Sequence, residues 1–491
     1  MGLSSKILNA GMLLTVVFLP WSPFGTSLGM GLLALSWIIA VSTKSIIKQS
    51  QSLLPVALIA CFALCTMGLF WSENLVEGLA AIKIKLPILI VPLALFYVKP
   101  LKNTLKYSIK LMILSSLLAA IVGLVWGYFV EIGDFSPFIS HIRMGLLLSL
   151  CLGLAILEKK WVFSTIYGLI AIASVWHTQS VTGIGMIAFA VFYSFVSIAL
   201  PRYRTQTIIA SITSVLIGGI FAFNSLMPTP FSGNLEDQTP WGHKYTHFPE
   251  KHLEENGDKV WINLAEDEMR PEWNKISSMP FDSLDANGFP IISTLTRYLT
   301  SQGKPKNGAQ IASLTSDDIA NIESGHTSIR KSTHSGLNLR IDDLKFELGN
   351  YLDGGNPNGN SVTMRMESFK AGINVLKTGG PSTLVFGVGT GDLPDALNRA
   401  YVETESRLQQ KFWKRTHNQY LAWWIGCGVI GLLIWLVALY SSFTSLSTAL
   451  KLAWWIVALS CLAEDTLETQ AGVTFAALAL TIFTLVPKKS N

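Results

Sequence analysis

The chain has 491 residues and is too apolar for a soluble protein of that length: 50% of its residues are hydrophobic, only 14% are charged, and the mean hydropathy is +0.42. The formal net charge of +5 comes largely from short loops between apolar runs, where basic residues suit anionic lipid headgroups. Composition and charge therefore predict a polytopic membrane protein and give no indication of nucleic-acid binding.

About twelve apolar runs are long enough to cross a hydrocarbon core as helices. They begin near Ile7, Ser27, Leu53, Ala80, Ser108, Met144, Trp161, Val181, Thr207, Leu421, Leu452 and Gly472. No small-residue cleavage site follows the first run, so we expect this helix to be retained. The predicted fold is an all-α polytopic membrane protein with about twelve transmembrane helices, of which helices 1–9 lie in residues 1–227 and helices 10–12 in residues 421–491.

Positive charges in the short loops predict the orientation, because Lys and Arg near helix ends are retained in the cytoplasm. With twelve helices, the basic loops alternate without a break. The residues expected on the cytoplasmic side are Lys6, Lys44, Lys48, Lys99, Lys102, Lys106, Lys159, Lys160, Arg202, Arg204, Lys451, Lys488 and Lys489. We therefore expect both termini in the cytoplasm.

The long polar stretch of residues 228–420 lies between predicted helices 9 and 10 and holds most of the acidic residues. Its size exceeds that of a linker, and runs such as Arg365 to Leu376 have helical spacing. We expect one large, mainly helical external domain. All 5 cysteines lie in apolar runs, so we predict no disulfide there, and no Cys/His metal cluster is apparent.

The polar stretch ends in Arg415-Thr416-His417-Asn418-Gln419-Tyr420, directly before the apolar run Leu421-Ala422-Trp423-Trp424-Ile425. An ionisable imidazole at a membrane boundary is a candidate site. The alternative is that His417 begins a helix and hydrogen-bonds only to the backbone.

Basic residues also lie at the external ends of two other predicted helices. His141 and Arg143 open the sixth run against the charge rule, and an arginine fork suits a phosphate or carboxylate; the alternative is a structural salt bridge. Lys83 and Lys85 lie at the external end of the fourth run, where they are predicted either to hold an anionic headgroup or to extend to the interface.

The external loop between the last two runs is acidic, with Glu464 and Glu468 one helical turn apart. This pair is predicted to orient a basic side chain or to bind a divalent cation, and an acidic external loop also follows from the charge rule alone. The glycine-rich run from Leu384 to Asp392 has neither P-loop nor Rossmann spacing, so a tight turn is expected there.

The order of these motifs resembles that of the O-antigen ligase and polymerase superfamily. The shared features are an external helix with Arg365, the turn Gly387-Val388-Gly389, the run His417-Asn418-Gln419-Tyr420 before a Trp- and Gly-rich span, and the acidic turn from Leu462 to Gly472. The resemblance covers nearly the whole chain. It implies an integral-membrane glycosyltransferase of the bacterial inner membrane that uses an undecaprenyl-diphosphate-linked glycan at the periplasmic face, without a nucleotide sugar, cofactor or metal.

By position, Arg365 and His417 match the functional arginine and histidine of the family's periplasmic loop, and Arg143 matches its membrane-edge arginine. Many members have Ser-Arg followed by small residues where this chain has Gln179-Ser180, so one cation is missing. We expect Lys83 or Lys85 to supply it. The role of residues 241–352, a longer segment than in many members, is not implied by the resemblance.

A catalytic hypothesis follows from these matches. His417 deprotonates or orients the acceptor hydroxyl, because an imidazole accepts a proton near neutral pH, while Arg365 and Arg143 clamp the diphosphate. Asn418 and Tyr420 are expected to fix the imidazole and the sugar. Direct attack on the anomeric carbon inverts its configuration.

The acceptor is not determined by the sequence. The first hypothesis is an O-antigen ligase, whose acceptor is lipid A-core. The alternatives are a polysaccharide polymerase and a protein O-oligosaccharyltransferase, which use the same donor. Two other classes are a twelve-helix transporter, which calls for broken helices near the bilayer centre that we do not expect here, and a non-catalytic envelope scaffold.

Overall fold

Long apolar runs fold as helices because a backbone surrounded by lipid must satisfy its own hydrogen bonds. A computed structural model of the chain describes residues 2–48, 52–129, 138–178, 180–227, 231, 235–329, 337–413, 415–443 and 447–485, and this described part is mostly helical. Gln179, Lys488 and Lys489 lie outside the described residues.

The helices, in chain order, are α1 (Leu3–Phe18), α2 (Pro23–Ser42), α3 (Leu54–Met67), α4 (Leu75–Tyr97), α5 (Thr104–Phe129), α6 (His141–Leu157), α7 (Trp161–His177), α8 (Val181–Ala199), α9 (Arg204–Leu226), α10 (Glu266–Ile276), α11 (Ile291–Ser301), α12 (Gly308–Ala312), α13 (Ser316–Glu323), α14 (Leu337–Leu352), α15 (Ser361–Thr378), α16 (Gly380–Phe386), α17 (Leu393–Glu403), α18 (Gln419–Phe443), α19 (Thr448–Ala463) and α20 (Gln470–Leu485). Short 3₁₀ turns span Gly68–Trp71, Gln410–Phe412 and Thr466–Glu468. The strands β1 (Glu254–Glu255) and β2 (Asp258–Lys259) pair antiparallel.

The chain divides into two compact units. The first comprises Met1–Ser211, Ser368–Ser406 and Trp413–Asn491, and the second comprises Ile212–Glu367 and Arg407–Phe412. This division differs from the predicted boundaries at residues 228 and 420, because residues 368–406 pack with the apolar helices. Long-range packing, which local sequence patterns do not encode, sets this boundary.

A helix lies near each of the twelve predicted positions, and in the described residues six are long and apolar enough to cross a membrane. These six are α2, α3 with its 3₁₀ extension, α4, α5, α8 and α18. Helices α1, α6, α7, α19 and α20 are shorter apolar helices, and α9 belongs to neither group. Such helices are those of a membrane protein.

Two helices form the centre of the first unit. Residues Met144 to Ile156 of α6 and Gly472 to Phe483 of α20 are buried throughout, so neither helix has a solvent- or lipid-facing side over these residues. Helices α6 and α8 approach closely because a Cβ on Gly145 would lie only 3.0 Å from the Cα of Gly183.

The second unit has its own hydrophobic core beside the short β1–β2 hairpin. Its buried residues are Leu264, Met269, Trp273, Phe281, Ile291, Leu295, Tyr298, Leu299, Ile311 and Ile322. The indole N–H of Trp273 donates to the Met279 carbonyl at 2.8 Å, so even the largest core side chain is satisfied. This unit is therefore a packed domain rather than a linker.

Helix α18 is broken at Gly428, which corrects our expectation that the chain has no broken apolar helix. Gly428 has φ 67° and ψ −177°, a backbone conformation that is not helical. The carbonyls of Ile425 and Gly426 accept instead from the N–H groups of Val388 (2.8 Å) and Gly389 (3.2 Å). The glycine-rich turn thus seals the break with donors from the same chain.

Candidate functional site

The loop before α18 holds His417 in an unusual conformation. Its φ is 53°, in the left-handed region that side chains with a Cβ adopt at a cost of roughly 1–2 kcal/mol. Its backbone N–H donates to Asp465 Oδ2 at 2.9 Å. Asp465 Oδ1 accepts from Thr416 Oγ1 at 2.9 Å and from the N–H of Asn418 at 3.1 Å. One carboxylate therefore fixes three consecutive residues of the loop.

Asp465 is almost completely buried, with 2% of its surface exposed. Burial raises the pKa of this carboxyl, and the charge of Glu468 acts in the same direction; His417 and the hydrogen bonds from the loop oppose the rise. The loop before α18 is thus linked to the acidic turn after α19 through the Asp465 carboxylate. Burial of this charged group costs electrostatic free energy.

The ring of His417 faces a second acidic residue. Its Nδ1 lies 3.9 Å from Glu464 Oε2, within ion-pair reach but too far for a hydrogen bond. This Nδ1 is buried and has no hydrogen-bond partner among the described residues. The side chain is nevertheless 32% exposed, so other ring atoms are accessible. A carboxylate near one ring nitrogen and access to the rest of the ring are features that a general base requires.

Glu464 also brings two basic residues of α6 to this place. It interacts electrostatically with His141 and Arg143, and it is 4% exposed. Arg143 Nη1 donates to Ser140 Oγ at 3.3 Å, and Nη2 donates to the Asp465 carbonyl at 3.5 Å. These contacts leave N–H groups of the guanidinium fork for a further ligand.

Arg415 also lies here, although no role was predicted for it from the sequence. Its charge is close enough to that of Arg143 for the two to interact, and within the described part of the chain it makes no hydrogen bond or ion pair with a side chain. Its position two residues before His417 is the sequence feature that could have indicated a role for Arg415. We call His141, Arg143, Arg415, His417, Glu464 and Asp465 the His417 cluster.

The polar side-chain atoms of Asn418 and Tyr420, which we expected to fix the imidazole and the sugar, form hydrogen bonds with other groups. Asn418 Oδ1 accepts the N–H of Leu421 at 2.9 Å, and its Nδ2 donates to the Leu462 carbonyl at 2.9 Å. The Tyr420 hydroxyl donates to the Ala458 carbonyl at 2.9 Å. Asn418 thus caps the start of α18, and both side chains join α18 to α19.

Lys85 has an internal partner rather than a lipid headgroup. Its Nζ lies 2.7 Å from Glu468 Oε2, and its side chain is 6% exposed. Glu468 Oε1 accepts from Gln419 Nε2 at 3.0 Å, and Gln419 Oε1 accepts the N–H of Leu467 at 2.5 Å. This buried network leaves Lys85 no access to a headgroup, whereas Lys83 is exposed on the same helix.

Arg365 belongs to the second unit, on the part of α15 that precedes Ser368. It is half-buried there. Of the predicted site residues, the structure therefore brings together His141, Arg143, His417 and Glu464. Lys85 is joined to them through the Glu468 network. Arg365 lies in a different compact unit.

A cavity of about 130 Å³ adjoins the cluster within the first unit, and we call it the α4–α17 cavity. One wall is apolar and consists of Ala80, Ala81 and Ile84 of α4 with Leu393, Pro394 and Leu397 of α17. The polar residues that line it are Glu77, Thr390, Arg415, Thr416, Asp465 and Glu468. An apolar wall with a few convergent polar groups is typical of a site for a small organic group.

Among the described residues, no group of three or more His, Cys, Asp or Glu side chains is arranged to hold a metal ion. The pair of Glu464 and Glu468 instead faces basic side chains, since Glu464 lies beside His417 and Glu468 binds Lys85. Of the two roles predicted for this pair, the orientation of basic groups is the one that these contacts support.

Comparison of the sequence with models of known protein families and with curated proteins found no match.

Proposed function

We propose that the chain is a membrane glycosyltransferase that moves a glycan from an undecaprenyl-diphosphate donor to a sugar hydroxyl. The observation that carries the proposal is the His417 cluster, in which an accessible imidazole lies 3.9 Å from a buried carboxylate and beside two arginines. Such a transfer needs a base for the acceptor proton and cations for the leaving diphosphate.

The chemistry proceeds in one displacement. The acceptor oxygen attacks the anomeric carbon, the bond from that carbon to the phosphate oxygen breaks, and the diphosphate leaves with the electron pair. His417 takes the hydroxyl proton, and Glu464 stabilises the imidazolium that forms. Arg143 and Arg415 stabilise the charge that develops on the leaving group. The configuration at the anomeric carbon is inverted.

Arg415 takes the place that we had expected Lys83 or Lys85 to fill. Lys85 is neutralised by Glu468 at 2.7 Å, whereas Arg415 lies close enough to Arg143 for their charges to interact. Arg365 remains a proposed diphosphate ligand on the strength of the sequence resemblance alone.

In this proposal the twelve helices cross the bacterial inner membrane with both termini in the cytoplasm, and residues 228–420 form a periplasmic domain. The alternation of basic loops supports this orientation. The His417 cluster then lies at the periplasmic lip, since α6 and α18 begin there and α19 ends there. The expected acceptor is lipid A-core; polymerase and protein O-oligosaccharyltransferase activities share the donor.

The break in α18 is the one observation that favours a transporter, because broken helices often bind ions or substrates. The freed carbonyls of Ile425 and Gly426 are, however, occupied by Val388 and Gly389. The break therefore supports packing of the glycine-rich turn better than it supports a transport site.

The proposal is tested by replacing His417 in the host cell. We expect His417→Ala to abolish ligated surface glycan while the protein is still present in the membrane. His326→Ala is the matched control, because His326 lies in the second unit and pairs with Asn321. Unchanged surface glycan in cells that produce only His417→Ala contradicts an enzymatic role.

A further inference from the structure

We infer that the α4–α17 cavity binds one sugar ring of the acceptor, an inference that rests on the proposed function. Arg415 and Asp465 of the His417 cluster line the cavity, but none of the residues predicted from sequence to touch substrate contributes to its apolar wall. Its charge, its wall and its place beside His417 each bear on what it holds.

The charge of the cavity disfavours a diphosphate. Three carboxylates, Glu77, Asp465 and Glu468, face it with one arginine, Arg415, and among the described residues Glu468 is the one of these carboxylates that pairs with a lysine. An anionic ligand meets net repulsion here. A neutral ring with hydroxyl groups does not, because carboxylates accept hydrogen bonds from hydroxyls.

The size and wall of the cavity fit a single ring. A volume of about 130 Å³ is close to the roughly 150 Å³ of a protein cavity that takes up one benzene ring, so it suits a single six-membered ring. The C–H face of a pyranose packs against an apolar surface, and Ala81, Ile84 and Leu397 offer one. Small alanines on α4 leave the space that larger residues would fill.

The cavity lies next to the proposed base. Thr416 lines it, and Asp465, which also lines it, binds both Thr416 Oγ1 and the N–H of His417 at 2.9 Å. In this proposal a ring held in the cavity lies against Thr416, the residue before His417, and presents a hydroxyl toward the imidazole. The donor diphosphate lies on the Arg143 side of the cluster in this arrangement.

Filling the cavity without changing its charge tests the inference. Ala81→Phe places a ring in the cavity, and Leu79→Phe is the control because Leu79 is 61% exposed on the same helix and does not line the cavity. With purified lipid A-core as acceptor and undecaprenyl-diphosphate-linked glycan as donor, we expect Ala81→Phe to raise the acceptor KM at least tenfold and to leave the donor KM unchanged. A rise in the donor KM instead, or kinetics equal to those of Leu79→Phe, overturns the inference.

A binding measurement separates failure of this site from failure of the proposed function. Ala81→Cys introduces an accessible thiol into a protein whose five native cysteines are buried. We expect lipid A-core to slow its labelling by a charged methanethiosulfonate at least fivefold, and the lipid-linked donor to leave the rate unchanged. If the wild-type protein transfers no glycan, the proposed function fails while this assay still reports on the cavity; labelling that only the donor slows, or that neither ligand slows, overturns the acceptor site.

Discussion

Glu464 Oε2 lies 3.9 Å from Nδ1 of His417, and both the carboxylate and this ring nitrogen are buried, whereas the His417 side chain as a whole is 32% exposed. The same carboxylate interacts with His141 and Arg143. This residue therefore joins the start of α6 to the loop before α18. In the proposed reaction, its negative charge stabilises an imidazolium and holds Arg143 near the diphosphate.

Removal of the negative charge of Glu464 is expected to lower the turnover rate. We expect Glu464→Gln to lower kcat by about 10–100-fold, a part of the 10²–10⁴-fold that general base catalysis supplies. The acceptor KM should change little, because Glu464 acts on the charge that forms during the reaction. Glu158→Gln, which alters a half-exposed ion pair with Lys160, is the control. A loss of folded protein with an unchanged kcat per folded molecule would indicate a purely structural role.

The broken helix predicts a sharp difference between two glycines. A Cβ on Gly428 would lie 2.1 Å from the Val385 carbonyl oxygen, whereas a Cβ on Gly426 meets nothing nearer than 4.0 Å. We expect Gly428→Ala to prevent stable folding, since its φ is also left-handed, and Gly426→Ala to fold normally. Monodispersity and yield after detergent extraction measure this. Equal yields of the two variants would mean that the glycine-rich turn is not packed in the break.

The buried ion pair of Lys85 and Glu468 predicts strong coupling. Either Lys85→Met or Glu468→Gln leaves one charge buried without its partner, which typically costs about 3–5 kcal/mol. We expect the double variant to be more stable than either single variant. Thermal unfolding of the purified protein, analysed as a double-mutant cycle, gives the coupling energy, and additive losses contradict a direct pair.

We expect the free energy of unfolding to depend on pH through Lys306, a buried residue of the second unit. Its Nζ donates to the carbonyls of Lys259 and Ile262, each at 3.1 Å, and burial lowers its pKa to about 8. Between this value and about 10.4, the value for an unfolded chain, the unfolded state binds more protons. The free energy of unfolding therefore rises with pH over this interval, by up to about 3 kcal/mol.

Replacement of Lys306 provides the test. We expect Lys306→Met to remove the rise in stability between pH 8 and pH 10, measured by urea unfolding of the full-length protein and proteolysis within residues 235–329. Lys304→Met, two residues away, is the control. A slope that persists in Lys306→Met would assign the pH dependence to another group.

The helices followed from the sequence because lipid imposes a simple rule: an apolar run of sufficient length must be helical. The twelve predicted positions therefore all coincide with helices, although six reach the length and hydropathy for a membrane span in the described part of the chain. His417, His141, Arg143 and Glu464 could be selected because ionisable groups at apolar boundaries are few.

The contact partners of individual side chains could not be predicted in the same way. Lys85 resembled a headgroup ligand until Glu468, 383 residues later, proved to be its partner at 2.7 Å. Asn418 and Tyr420 resembled site residues because they adjoin His417, yet a helix turn directs their side chains to Leu462 and Ala458. The break at Gly428 depends on a turn forty residues earlier. Each of these outcomes rests on a long-range contact that no local pattern encodes.

The most direct test of the account is transfer by the purified protein. Wild type and His417→Ala are incubated with undecaprenyl-diphosphate-linked glycan and lipid A-core, without added nucleotide. The account predicts glycan-extended lipid A-core of inverted anomeric configuration with wild type and at least a hundredfold less with His417→Ala. Absence of transfer by wild type to lipid A-core, to a lipid-linked glycan and to protein acceptors alike, or equal transfer by the two proteins, would contradict it.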